Sequence, residues 1–307
     1  MAVISIQGLC KTFGAGTDGE VKAVNELTLN VPEGRIFGFL GPNGAGKTTT
    51  IKLLLGLIKA DAGAATILGE PMGSLSAKRR LGFLSESPYF YNYLTGAEFL
   101  EFYGRLFEMR PLQLEQKIDD LLTAVGLKGK ANVRLSKYSR GMLQRIGIAQ
   151  AIINDPDVVI LDEPITGLDP QGRKEVRDII LNLKKKGTSI FFSSHVLHDV
   201  QEMCDDIAII NKGRLVCVGP IDELLGVKEY GVSADGLPNA VRDRLEGMGA
   251  AVSKKDARIT AVTGDKAKFA EITRIMETSG KNIEITKTLA NLEDFFLQQV
   301  GSSGKEE

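Results

Sequence analysis

The stretch GPNGAGKT, from Gly41 to Thr48, decides the fold of this chain. It fits the pattern G-x-x-x-x-G-K-[ST], and it lies between a short apolar strand, RIFGFL at 35–40, and a helical pattern that runs to Ile58. Glycines let the backbone curl so that successive N–H groups point at one anion, and the positive end of the following helix faces the same place. The sequence therefore predicts a phosphate-binding loop, in which Lys47 reaches the terminal phosphates and the Thr48 hydroxyl binds magnesium.

Length and composition set the limits for this prediction. The chain has 307 residues, which favours two domains, and its 43% hydrophobic and 25% charged residues are typical of a soluble globular protein. The formal net charge of -1 gives no overall attraction to nucleic acid or to an anionic membrane. No nucleic-acid partner is therefore expected.

Neither the cysteines nor the apolar runs indicate an exported or membrane-spanning chain. Cys10, Cys204 and Cys217 are scattered and form no CxxC pair, so they are interpreted as reduced packing residues of a cytosolic protein. The longest apolar runs are too short to cross a bilayer, and the N-terminus lacks the basic start and apolar core of a signal peptide.

Near-continuous apolar strands predict a parallel sheet that is buried on both faces. These are VVILD (158–162), SIFFSS (189–194) and IAIIN (207–211). Further strands are predicted at 3–7, 21–31 and 81–85, and Asn211–Arg214 is predicted to form a hairpin turn. Helices are predicted from the capping box Thr95–Glu98 and from Glu175 to Lys186, the latter closed by Gly187.

The composition changes after about residue 226. Short strand-like pieces alternate with helix-like pieces, which predicts a small separate α+β domain. We therefore expect one domain at 1–225, a second at 226–300, and a disordered tail at 301–307.

A pair of carboxylates at the end of the strand VVILD gives the second chemical signal. Asp162 can hold magnesium and Glu163 can polarise an attacking water, as in other enzymes with a phosphate loop. A GTP-binding switch is the main competing interpretation, since such proteins read guanine with Asn-Lys-x-Asp. Here Asn211-Lys212 is followed by Gly213-Arg214 within a hairpin, which counts against that interpretation.

The stretch YSRGM, from Tyr138 to Met142, begins a helix at Ser139, a natural N-cap. In chain order stand Gly41–Thr48, Glu86, YSRGM, VVILDEP, GLDP (167–170) and SSH (193–195). This series resembles the ATP-binding subunit of ABC transporters, and the resemblance covers residues 1 to about 225. YSRGM matches the family's signature LSGGQ in Ser139 and Gly141 and departs from it at Tyr138, Arg140 and Met142.

The resemblance implies an α/β fold and a set of site residues. The fold is a P-loop NTPase core of the ABC-ATPase type, with an antiparallel β subdomain, a helical signature subdomain at about 88–150, and the small C-terminal α+β domain. The implied catalytic residues are Glu163 and His195, and the implied magnesium ligands are Thr48, Glu86 and Asp162. The residues implied to contact ATP are Phe13, Gly41, Pro42, Asn43, Gly44, Ala45, Gly46, Lys47, Thr48, Thr49, Ser139, Gly141 and Asp169.

Two departures from the family's pattern, at Glu86 and Arg140, bear on the site. Glu86 stands where the family usually has Gln, and an acidic side chain there can still bind magnesium. Arg140 is compatible with a helix start but would be strained if its position required a positive φ.

The resemblance also implies the protein's partners and its localisation in the cell. In this family the signature faces a nucleotide held by the other subunit, so we expect a head-to-tail dimer, most simply a homodimer, around two Mg²⁺-ATP. A separate integral membrane permease, of the type-two class found with export ATPases, would hold the chain at the cytoplasmic face of the cell membrane. The aromatic run Tyr89–Tyr93 is either the permease socket or part of a satellite core.

Two other functions are weighed against ATP-driven export. One is a soluble ABC-type ATPase acting on ribosomes or DNA-repair machinery, which usually carries two fused cassettes or a long coiled coil. The other is a nucleotide-gated regulatory module without catalysis, against which Glu163 argues. The transported molecule is not encoded in this chain, because the substrate path would lie in the permease.

Overall fold

The computed structural model describes residues 1–17, 19–256 and 258–302. The chain divides into two compact units, one of Met1–Pro220 together with the chain from Gln298 on, and one of Ile221–Leu297. In the predicted tail, Gly301 and Ser302 end a helix, and 303–307 lie outside the described residues.

The first unit is built from two sheets and the helices that connect their strands. Its strands are β1 (Ala2–Phe13), β2 (Val21–Pro32), β3 (Ile36–Leu40), β4 (Ala62–Ile67), β5 (Glu70–Pro71), β6 (Leu81–Leu84), β7 (Val158–Asp162), β8 (Ser189–Ser194), β9 (Asp206–Asn211) and β10 (Arg214–Pro220). Its helices are α1 (Lys47–Leu54), α2 (Leu75–Arg79), α3 (Gly96–Leu106), α4 (Pro111–Ala124), α5 (Arg140–Ala151), α6 (Pro170–Lys185) and α7 (Leu197–Met203).

The central sheet has the strand order β10-β9-β3-β8-β7-β6. Its neighbours from β9 to β6 are parallel, and β10 pairs with β9 in antiparallel fashion through the predicted hairpin. Every residue of β3, β7 and β8 is buried, as their unbroken apolar sequences predict. The α/β prediction and the parallel sheet are thus confirmed.

The register of this sheet brings three loop starts to one edge. Leu40 of β3 pairs with Ser194 of β8, and Ser193 pairs with Asp162 of β7. Since these are the carboxyl ends of parallel strands, the loops that follow β3, β7 and β8 emerge side by side.

An antiparallel sheet of order β2-β1-β4-β5 accompanies the central sheet. β1 is longer than the predicted strand at 3–7 and contains irregular pairing with β2. β4 and β5, which the sequence pattern did not predict, continue the sheet beyond β1. Buried residues of this sheet pack in one core with β3, including Ile4, Ile6, Phe37 and Phe39.

The helical segment begins with α3, whose N-cap is Thr95. Its hydroxyl accepts from Glu98 N–H and the Glu98 carboxylate accepts from Thr95 N–H, so the predicted capping box is present. α6 begins at Pro170, earlier than predicted, and Gly187 follows its end with a φ of 92°.

The second unit has a sheet and helices of its own. Its elements are α8 (Ile221–Leu225), β11 (Val227–Asp235), α9 (Asn239–Gly247), β12 (Ala251–Lys255), β13 (Arg258–Thr263), α10 (Lys266–Ser279) and β14 (Lys281–Leu289), with α11 (Leu292–Ser302) at the end. The antiparallel order is β12-β13-β11-β14. Val232, Leu245, Ile259 and Met276 are fully buried in its core. Among the described residues of the whole chain, no helix is long and apolar enough to cross a membrane.

Candidate active site

The loop Gly41–Thr48 joins β3 to the first turn of α1. Gly44 and Gly46 have φ values of 79° and 106°, in the left-handed region that favours glycine. A Cβ on Gly46 would lie 2.2 Å from the carbonyl oxygen of Ala23. The glycine at 46 is therefore needed both for its φ and for the space beside β2.

Lys47 is held inside this loop. Its side chain is buried, and Nζ donates to the carbonyl oxygens of Gly41 at 2.7 Å and Pro42 at 3.3 Å. The same nitrogen lies 3.4 Å from Oε1 of Glu163. The ammonium thus stands at the mouth of the loop, where an incoming phosphate would replace weak carbonyl partners with a stronger, charged one.

Asp162 ends β7 and lies beside the first turn of α1. Its Oδ1 accepts from Ser193 Oγ at 2.6 Å and from Thr48 Oγ1 at 3.4 Å. Ser193 Oγ in turn accepts from the backbone N–H of Glu163 at 3.0 Å. A hydroxyl and a carboxylate within reach of each other are the hard oxygen donors that Mg²⁺ prefers, so this pair fits the ion.

Glu163 is buried and has a φ of 52°, which is uncommon for a residue other than glycine. Its Oε2 accepts from Thr166 Oγ1 at 2.7 Å and lies 2.8 Å from His195 Nδ1. Burial raises the pKa of Glu163, but the hydrogen bonds from Thr166 and His195 and the charge of Lys47 outweigh it. The net pKa therefore lies below its ordinary value, and the carboxylate is ionised at neutral pH.

Lys47, Thr48 and Glu163 line one cavity of about 540 Å³, whereas Asp162, which is bonded to Thr48, is not among the lining residues. Glu86, which follows β6, lines it together with the phosphate loop and the loops after β7 and β8. The full lining is Ala23, Pro42, Asn43, Gly44, Ala45, Gly46, Lys47, Thr48, Thr49, Glu86, Glu163, Thr166 and His195. The cavity is lined by the backbone of the phosphate loop, the ammonium group of Lys47 and the carboxylate of Glu163. These are the groups that enzymes use to bind and cleave a polyphosphate.

Other predicted site residues lie outside this lining, among the residues that the structure describes. Ser139 is the N-cap of α5, where its hydroxyl accepts from the N–H of Met142. Asp169 is the N-cap of α6. Phe13 ends β1 with 45% of its surface exposed, and Lys11 lies over its ring. The roles of Phe13, Ser139, Gly141 and Asp169 toward ATP stay predictions.

Two residues with a clear place in the site were not predicted from the sequence. Thr166 bonds to the carboxylate of Glu163, and Ser193 connects the carboxylate of Asp162 with the backbone of Glu163. Thr166 stands three residues after Glu163, a spacing at which a turn brings hydroxyl and carboxylate together. Ser193 could be found only once β7 and β8 were known to be neighbours.

The chain is similar in sequence to known proteins of one family. A family model described as ABC transporter matches residues 24–166. The chain is 42% identical over 289 residues to an uncharacterized ABC transporter ATP-binding protein of Synechocystis sp., a match that covers 93% of this chain and 80% of that protein. It is 33% identical over 307 residues to Nod factor export ATP-binding protein I of Ralstonia nicotianae, a match that covers 97% and 94%.

A solved structure described as the ATP binding subunit of an ABC transporter superposes with a TM-score of 0.65 at 28% identity. The superposition covers 72% of this chain and 91% of the chain in the solved structure. Fold, phosphate loop and sequence relatives thus lead to the same assignment. The chain belongs to the ABC transporter ATP-binding proteins and is an ATP-binding, ATP-hydrolysing subunit of that family.

Proposed function

We propose that Glu163 is the general base for hydrolysis of Mg²⁺-ATP, in a head-to-tail dimer that drives export through a separate membrane permease. The observation that carries this proposal is the carboxylate of Glu163, held between Lys47, Thr166 and His195 at the wall of the cavity. A fixed, ionised carboxylate beside the phosphate loop can accept a proton from a water that attacks the γ-phosphate.

The other side chains hold the substrate in line with this base. Lys47 exchanges its carbonyl partners for the terminal phosphates, and the loop N–H groups bind the rest of the chain of phosphates. His195, with 42% of its side chain exposed, keeps its Nδ1 on Glu163 and contacts the γ-phosphate with the opposite ring nitrogen. Catalysis here is positioning and charge stabilisation, as is usual for phosphoryl transfer.

Thr48 and Asp162 would hold Mg²⁺, and Glu86 also lines the cavity beside Thr48 and the phosphate loop. The ion would neutralise charge on the β- and γ-phosphates. Ser193 keeps Asp162 oriented through its 2.6 Å hydrogen bond, so the donor oxygen is in place before ATP arrives.

The positions of Ser139, Gly141 and Asp169 support a second chain. They are exposed or partly exposed residues near the starts of α5 and α6, outside the cavity lined by the phosphate loop. In a head-to-tail dimer, each would approach the ATP of the opposite subunit. The two copies of one chain would then build two equal sites.

Two features support a membrane permease as the further partner and export as the direction. One similar protein is named for Nod factor export. Tyr89 and Tyr93 are 83% and 70% exposed, while Phe90 packs on the buried ring of Phe99. This arrangement, an aromatic surface fixed from below, suits an interface anchor better than a satellite core. Such a complex would place the chain at the cytoplasmic face of the cell membrane.

Replacing Glu163 by Gln tests the proposed base. The variant should bind ATP with unchanged affinity and lose roughly 10²–10⁴-fold in turnover, because the amide cannot accept the proton. Phosphate release and ATP binding are measured on the purified full chain, with Glu115→Gln on the exposed face of α4 as the control. Turnover like that of the control would remove Glu163 from the role of base.

A further inference from the structure

Arg140 occupies a position of the signature where the related family has glycine, yet its backbone is unstrained. It is the first residue of α5, directly after the N-cap Ser139, and its φ is not among the positive values of the described residues. The side chain is free to reach out of the helix start, and it reaches the loop that follows β7.

The guanidinium of Arg140 lies flat on Gly167. Nη2 donates to the carbonyl oxygen of Thr166 at 3.1 Å. A Cβ on Gly167 would lie 2.3 Å from both Cζ and Nη2 of Arg140, and the φ of Gly167 is 73°. The guanidinium therefore fills the space that a side chain at 167 would need, and the two residues are complementary in shape.

Thr166 connects this contact to the proposed base. Its carbonyl oxygen accepts from Arg140, and its hydroxyl donates to Glu163 Oε2 at 2.7 Å. Its backbone N–H also donates to the carbonyl oxygen of Glu163 at 3.3 Å, which closes the turn. The same residue thus carries the bond to Arg140 and the bond to the carboxylate. A shift of the Thr166 carbonyl would also shift the hydroxyl that Glu163 accepts from.

We infer that Arg140 is a positioning residue that holds the turn 163–167 and thereby keeps the Thr166 hydroxyl on Glu163. This inference rests on the proposed role of Glu163 as base. On the proposed dimer, it connects the segment that meets the partner's ATP to the base of the chain's own site. In that dimer, Arg140 would couple the binding of ATP at one site to the position of the base at the other.

The first test compares Arg140→Gln, Arg140→Lys and the control Lys137→Gln, an exposed residue of the preceding turn. Arg140→Gln should lower kcat roughly 10- to 100-fold with little change in KM, since a misplaced base affects the chemical step. Arg140→Lys can still donate to the Thr166 carbonyl and should recover part of kcat. Equal kcat in Arg140→Gln and Lys137→Gln would overturn the inference.

A double-mutant cycle with Thr166→Val tests the route. If Arg140 acts through Thr166, Arg140→Gln should cause no further loss of kcat in the Thr166→Val background. Additive losses would show that Arg140 acts elsewhere and would overturn the inference. Gly167→Ala gives an independent check, because its methyl displaces the guanidinium: its loss of kcat should be smaller in the Arg140→Gly background, and an equal loss counts against the contact.

Glu163→Gln is measured in the same series, so that two kinds of failure are distinguished. Normal turnover in Glu163→Gln would overturn both the proposed base and the role of Arg140. Loss of turnover in Glu163→Gln with wild-type behaviour of Arg140→Gln would overturn only the latter. Thermal unfolding and ATP binding are measured for each variant, to show whether a loss of turnover comes from a loss of the fold.

Discussion

At the scale of single residues, Glu163 combines a positive φ with a carboxylate that three side chains contact. The φ of 52° costs on the order of 1 kcal/mol for a residue with a side chain. The carboxylate contacts Lys47, Thr166 and His195. Such strain persists only where the surroundings hold it in place. Ser193 does so by accepting from the Glu163 N–H, and Thr166 by closing the turn.

Glu86 makes the cavity more acidic than a Gln at that position would. Glu86→Gln should raise the Mg²⁺ concentration needed for half-maximal hydrolysis by roughly threefold to tenfold, because one attracting charge is lost. The same variant should bind ATP more tightly without Mg²⁺, since the repulsion between carboxylate and phosphates falls. Titrations of ATP with and without Mg²⁺ check both effects, again beside Glu115→Gln. Unchanged Mg²⁺ dependence would exclude Glu86 from the ion's surroundings.

At the scale of elements, the site depends on loops that start at one edge of the central sheet. β3, β7 and β8 are fully buried and paired in register, so their pairing sets where the residues that follow them lie relative to each other. The glycines of the first loop and the strained turn of the second are thus carried on a buried scaffold.

The capping box of α3 is the element-scale device that the sequence predicts most clearly. Thr95→Ala should lower the free energy of unfolding by about 1 kcal/mol, because the N–H of Glu98 loses its partner. Thr95→Ser keeps the hydroxyl and should stay close to the parent. Urea unfolding of the three proteins measures the difference. A Thr95→Ala protein as stable as Thr95→Ser would mean that the cap contributes nothing.

The central strands were predictable because each is a short unbroken apolar run, whereas β4 was not. Its sequence, AGAATI, has little β propensity, and pairing with β1 creates the strand. The same limit applies to the site. The phosphate loop, Asp162 and Glu163 are local patterns, but the Ser193 contact with Asp162 exists only through the pairing of β7 with β8. The hydrogen bond from Arg140 to the Thr166 carbonyl joins the start of α5 to the loop after β7, so no local sequence pattern predicts it.

At the scale of the whole molecule, the proposed function needs surfaces that one chain leaves open. The phosphate loop lines the cavity. The signature residue Ser139, at the start of α5, is not part of that lining. A second copy, placed head to tail, would supply to each cavity what the chain itself does not. Tyr89 and Tyr93 form a separate exposed surface, the one proposed above to meet a membrane partner.

Replacing Tyr89 and Tyr93 together by Ser tests that second surface. Both side chains are mostly exposed, so folding and ATP binding should be retained, while co-purification with an integral membrane protein from gently solubilised membranes should be lost. Leu75→Ser on α2, also 78% exposed, is the control and should keep the partner. Retention of a membrane protein by the Tyr variant at the level of the control would contradict a docking role, and ribosomal proteins in its place would favour a soluble function.

The most direct measurement of the central claim, that two chains enclose each ATP, is a crosslink that only two chains can form. One chain carries Ser139→Cys and the other Asn43→Cys, each in a Glu163→Gln background that holds ATP. Asn43 is an exposed residue of the phosphate loop and avoids the left-handed φ of 79° at Gly44. Mixed in equal amounts under mild oxidation, the two chains should form a disulfide-linked pair with Mg²⁺-ATP and little without it. Bound ATP with no increase in this mixed crosslink would contradict the account, because Ser139 would then cap α5 and contact no nucleotide.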